Sequence, residues 1–191
     1  MPDSNTPAAP DPPIPAVLGP NEIIDRAARE IERMQDWPGW ETAFAAASPG
    51  SPLLVKRLDL TGWYYYLVPF GAGSGITARL RLNAHTGKYA EAMAIDKSGD
   101  NLPPYVPLET AATRIRRRLA AGGQAKRNAT KRTKSGGVQP QILFDPFPGW
   151  QPCLESLTAF LPFYIVNIDG RLLYYRLDGK IFDTLTFGAG H

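Results

Sequence analysis

The side chains that could do chemistry here are few. Cys153 with His85 or His191 could form a thiolate–imidazole pair for nucleophilic catalysis. The segment Trp150-Gln151-Pro152-Cys153 has no glycine-flanked nucleophile pattern and opens no evident helix, so Cys153 reads as a small buried apolar residue. Asp169, Asp178 and Asp183 lie close in sequence, but Asp169 and Asp178 each precede a glycine, which a turn explains without acid–base work. No His-x3-His, Cys-x2-Cys or calcium-loop spacing occurs, and one cysteine excludes an internal disulfide, so neither metal nor other cofactor is expected. Gly71-Ala72-Gly73-Ser74-Gly75 has the glycines of a phosphate cradle. It lacks the following Lys-Ser/Thr and leads into an alternating strand, so it reads as a hairpin loop.

Two constellations point to binding. The first is basic. Nine Lys or Arg and no acid lie between Thr110 and Phe144, whereas the remaining 12 basic and 18 acidic residues leave a net charge of −6. Arg116, Arg117, Arg118, Lys126, Arg127, Lys131, Arg132 and Lys134 could neutralise phosphates and give salt-sensitive affinity for a polyanion such as nucleic acid. The stretch lacks interleaved aromatics for base stacking. The second is aromatic. Trp63-Tyr64-Tyr65-Tyr66 must point to both faces of one strand, and Phe163-Tyr164 and Tyr174-Tyr175 repeat the pattern. One face can lie under a helix. The other is either buried between the halves of the chain or shown to a peptide or protein, with Trp63, Tyr65, Tyr164 and Tyr174 as the ligand-gripping residues.

The elements that must position these groups follow from periodicity. Residues 1–20 hold seven prolines and read as an extended, disordered arm. Asn21 is a fitting N-cap for a helix whose apolar stripe is Ile23, Ile24, Ala27, Ala28, Ile31 and Met34. Strands are expected at 53–60, 63–70, 76–82 and 89–95; in the third, Ile76, Ala78, Leu80 and Leu82 alternate with Thr77, Arg79 and Arg81. Pro107 opens a second helix with Leu108, Ala111, Ala112, Ile115 and Leu119 on its apolar face. Strands resume at 142–147, 162–168, 172–177 and 181–187, with Asp169-Gly170 and Asp178-Gly179 as hairpin turns.

The chain also echoes itself. Ile24-Asp25-Arg26-Ala27-Ala28-Arg29-Glu30-Ile31 matches Leu108-Glu109-Thr110-Ala111-Ala112-Thr113-Arg114-Ile115 in type and offset, and Tyr65-Tyr66-Leu67-Val68 matches Phe163-Tyr164-Ile165-Val166. The expected class is therefore α+β: two tandem repeats of one helix followed by a three- to four-stranded antiparallel meander. The boundaries are an arm at 1–20, a first repeat at 21–95, a linker at 96–106, a second repeat at 107–187 with a basic flexible insertion at 122–139, and a tail at 188–191. At 191 residues, 43% hydrophobic, the chain can bury a core. Residues 1–20 lack the basic-then-apolar order of a secretory signal, and no apolar run is long enough to span a bilayer, so a soluble cytoplasmic protein is expected.

Ala27-Ala28 and Ala111-Ala112 on the helices, with Asn83-Ala84-His85-Thr86-Gly87-Lys88 and Asp178-Gly179-Lys180 at the final turns, resemble PepSY and PepSY-like domains, and more loosely the cystatin-like architecture. The first turn is similar to the D-x-x-T-G hairpin of such domains, and the second keeps a tight Asp-Gly. The resemblance spans residues 21–95 and 106–187. It implies non-enzymatic binding of a peptide or protein, such as restraint of a peptidase, and brings no catalytic residues with it.

Overall fold

The computed structural model describes residues 15–34, 36–44, 47–72, 75–95, 111–117, 146–168, 171–176 and 180–187. Helix α1 (Pro20–Met34) starts one residue before the expected cap: the Gly19 carbonyl accepts from the Ile23 amide at 3.1 Å, and Pro20 takes the first helical position, where its missing N–H costs nothing. Ile23, Ala27, Ile31 and Met34 recur every three or four residues and are buried, so one stripe faces the sheet. Helix α2 (Glu41–Phe44) is a single turn, and a third helical stretch, α3, runs over residues 111–117.

The strands are β1 (Ser48–Pro49), β2 (Leu53–Arg57), β3 (Tyr64–Ala72), β4 (Gly75–Asn83), β5 (Tyr89–Ala94), β6 (Phe147–Trp150), β7 (Phe163–Ile168), β8 (Arg171–Arg176) and β9 (Ile181–Phe182). They make one sheet in the order β5-β4-β3-β2-β6-β7-β8-β9, with β1 on β3. This corrects the expected fold. The chain is not two helix-plus-meander units but one continuous mixed sheet of nine strands, with little helix beside it. The overturning feature is the β2–β6 seam, a parallel pairing of Lys56 with Gly149 and Arg57 with Trp150. Strand limits shift accordingly: β2 stops at Arg57, β6 begins at Phe147, and β9 keeps only two residues.

Alternation sorts the side chains. On one face Tyr66, Val68, Phe70, Ala78, Leu80 and Leu82 meet the buried stripe of α1. On the other, Val55, Tyr65 and Leu67 meet Ala159 and Phe160, from the connection between β6 and β7. Register across the seam places Gly149, and with it Phe163, on the α1 face, so Tyr164 lies on the opposite one. There Tyr164, Val166 and Tyr175 pack with Ala111 and Ile115 of α3. The two longer helical stretches thus cover opposite faces of the same sheet.

The β4–β5 turn is built by Asn83. Its side-chain oxygen accepts from the amides of His85 (2.9 Å) and Thr86 (3.0 Å), and Gly87 supplies the left-handed backbone at φ +65°. Arg26 of α1 donates to the Thr86 carbonyl at 2.8 Å, which ties helix to turn.

Candidate binding groove

The parallel ladder at the seam spans two residue pairs and stops at Pro148, which has no N–H to continue it. Past that point β2 and β6 part. Between them lies an open groove of about 530 Å³, walled by Pro52, Leu53, Leu54, Tyr64, Phe147 and Pro148, with Lys56 as its charged group. The Lys56 ammonium sits 5.8 Å from the centre of the Phe147 ring, a cation–π contact that holds the ring while leaving Phe147 38% exposed. At Leu53–Val55 the β2 backbone has β3 on one side and, among the described residues, no strand on the other. The groove therefore joins an apolar aromatic wall to a stretch of sheet edge that no strand among the described residues fills.

The residues singled out from sequence do not converge on one face. Trp63 is 51% exposed, just before β3, with its ring edge-on to His85 at 6.1 Å. Tyr65 is buried on the opposite face from the groove, and its hydroxyl donates to the Ala159 carbonyl at 2.8 Å. Tyr164 is buried beside α3. Tyr174 pairs with Ile165 across β7 and β8, and its ring is edge-on to Phe163 at 6.1 Å. Tyr65 and Tyr164 hold the sheet to its coverings and present no ring to a ligand. Of the basic residues, Arg116 and Arg117 are exposed on α3, beside the exposed Arg114, while Arg118, Lys126, Arg127, Lys131, Arg132 and Lys134 lie outside the described residues. So do Asp169, Asp178 and His191.

The pairing of Cys153 with His85 finds no support among the described contacts, and that with His191 lies outside the described residues. Cys153 is half-buried, not buried as expected, in a turn where its amide meets the Ser156 hydroxyl at 3.1 Å. The His85 ring nitrogens instead lie 3.3 Å from the Ala16 carbonyl and 3.0 Å from the Gly62 carbonyl. Among the described residues no three His, Cys, Asp or Glu side chains group as metal ligands, and no helix is long and apolar enough to cross a membrane.

Two features of the framework escaped the sequence. Arg79, expected on the polar side of β4, is fully buried, and its guanidinium donates to the Phe160 carbonyl at 3.2 Å. At the seam's other end Arg57 lies 5.2 Å over the Trp150 ring and pairs with Asp59 at 2.6 Å, which lowers the Asp59 pKa through that hydrogen bond. Burial, partly offset by the Arg79 charge, pushes the Tyr164 hydroxyl up to about 12. An unfolded tyrosine ionises near pH 10. The Tyr164 contribution is thus complete below that pH and is lost as pH rises from 10 towards 12, because the unfolded state releases its proton first. Tyr164→Phe is expected to flatten the alkaline decline in stability by about 1.4 kcal/mol per pH unit over that window, read from denaturant midpoints.

Comparison with known proteins finds no matching family model, no matching curated protein and no matching solved structure.

Proposed function

We propose that the chain is a non-enzymatic binding protein that takes an extended peptide or protein segment in the β2–β6 groove. The carrying observation is the coincidence of the β2 edge at Leu53–Val55, beside which no strand among the described residues lies, with an apolar wall of Leu54, Tyr64 and Phe147. Main-chain hydrogen bonds to β2 supply affinity, and alternate side chains of the guest drop between the two rings. Lys56 favours a guest with an acidic residue near its apolar anchor. The likeness of the Asn83–Lys88 turn to PepSY-like domains supports the same class, restraint of a peptidase included, and a cytoplasmic setting accords with it.

Peptides selected on the protein from a random display library provide the test. Phe147→Asp removes the aromatic wall and sets a carboxylate that competes with the guest for Lys56, at a position exposed enough to spare the fold, and is expected to weaken the selected peptide at least tenfold, about 1.4 kcal/mol. Unchanged affinity in a folded Phe147→Asp protein contradicts the proposal. Nucleic-acid binding that falls steeply with salt and disappears when Arg114, Arg116 and Arg117 are neutralised would move the function to the exposed face of α3, where those three arginines stand clear of the core.

A further inference from the structure

We infer that the groove also takes a small ligand, a medium-chain fatty acid, with its carboxylate on Lys56 and its hydrocarbon tail along the apolar wall, in competition with the guest segment. The inference rests on the groove being a binding site. Register decides the layout. Leu54 and Lys56 alternate onto one face of β2, and Lys56 stands opposite Tyr64 on one side and Gly149 on the other. Phe147, two residues before Gly149, shares that face. One charged group thus heads a row of apolar ones, which continues past Leu54 to Pro52. An extended backbone covers about 13 Å from residue 56 to residue 52, room for an acyl chain laid along the wall. The groove volume of about 530 Å³ falls in the range of small-molecule sites.

The head group is available. On the strands Arg57 pairs with Asp59, Arg81 with Glu91 and Arg171 with Asp183. Lys56 is exposed and, among the described residues, pairs with no carboxylate. Its ammonium lies 5.8 Å from the centre of the Phe147 ring, a contact that holds the charge at the head of the wall without neutralising it. A single cation matches a monoanion. A phosphate head would keep negative charge unpaired beside an apolar wall, so the carboxylate is the better fit.

The tail is favoured by what the wall lacks. Pro52 and Pro148 have no N–H, so a guest lying on them gains from apolar contact alone. A peptide gives up amide hydration there, and a hydrocarbon chain gives up none. Tyr64 and Phe147 supply the broad apolar surfaces against which methylenes pack.

The test titrates the isotopically labelled full-length protein with decanoate, octanoate and decanol at pH 7, by NMR, and then repeats each titration on Lys56→Met. Decanoate is expected to shift Leu54, Lys56, Tyr64 and Phe147 and to displace a display-selected peptide. It should bind about threefold more tightly than decanol, the strength of an exposed ion pair, and Lys56→Met should erase that preference while leaving decanol unchanged. Octanoate should bind about fourfold more weakly than decanoate, half the full-burial effect of two methylenes, because the groove is open on one side. Equal binding of decanoate and decanol, or a preference that survives Lys56→Met, overturns the inference. Decanoate that leaves the groove signals unmoved while the peptide shifts them overturns the fatty acid and leaves the groove reading standing. Groove signals that neither probe moves remove both.

Discussion

Alanine at Arg79 is expected to destabilise the protein by about 3 kcal/mol. This side chain starts on β4, is fully buried, and reaches the Phe160 carbonyl in the connection between β6 and β7. Truncation opens a cavity and leaves that carbonyl without this donor, two penalties that each run to kcal/mol in a closed interior. For a chain of this length the melting temperature should fall by roughly 6–12 °C. Arg79→Met separates the causes. It keeps most of the volume and removes a charge that was costly to desolvate, so it should lose clearly less than alanine. Denaturant unfolding with an unchanged slope measures both. A loss within about 0.5 kcal/mol for Arg79→Ala, the range of a surface change, would show that Arg79 does not hold the connection to the sheet.

Valine at Gly149 is the second large effect, again about 3 kcal/mol. A side chain at this position would begin 2.5 Å from Cδ1 of Ile165 and 2.9 Å from Cδ2 of Leu58, closer than carbon atoms approach. Gly149 faces Lys56 in the two-pair ladder that joins β2 to β6, so room made for a branched residue is taken from the seam itself. Gly149→Ala should cost about 1–2 kcal/mol. In an Ile165→Val background, which deletes the obstructing Cδ1, the alanine penalty should shrink by at least half. A double-mutant cycle reports that coupling, and strict additivity would refute the contact.

Both residues show where the sequence was legible and where it was not. Ile76, Ala78, Leu80 and Leu82 announced the core face of β4 by alternation, and Ala78, Leu80 and Leu82 indeed meet α1. The same alternation put Arg79 on the other face, correctly, but alternation cannot tell water from protein beyond that face. The cover comes from residues 159–160, some 80 positions on. The helix stripe Ile23-Ala27-Ile31-Met34 was equally readable, because it depends on a local period.

The seam was not readable. Antiparallel neighbours are announced by a turn, as at Asn83–Lys88, whereas parallel neighbours carry no local signal at all. Phe147 therefore read as the end of one strand and Gly149 as nothing in particular, and the two halves looked like separate units. The groove inherits that blindness, since its walls come from β2, the start of β3 and β6, and the break that opens it is one proline. The aromatic cluster drew notice for its composition. Burial then turned Tyr65 and Tyr164 into structural residues and left Tyr64 and Phe147 as the rings on the groove.

The most direct measurement is NMR mapping of a display-selected peptide on the isotopically labelled full-length protein. Shifts concentrated at Leu53, Leu54, Lys56, Tyr64 and Phe147, with slowed amide exchange at Leu54, whose N–H faces away from β3, are the predicted result. Shifts confined to the β5 edge or to Arg114, Arg116 and Arg117, with the groove signals unmoved, would contradict it.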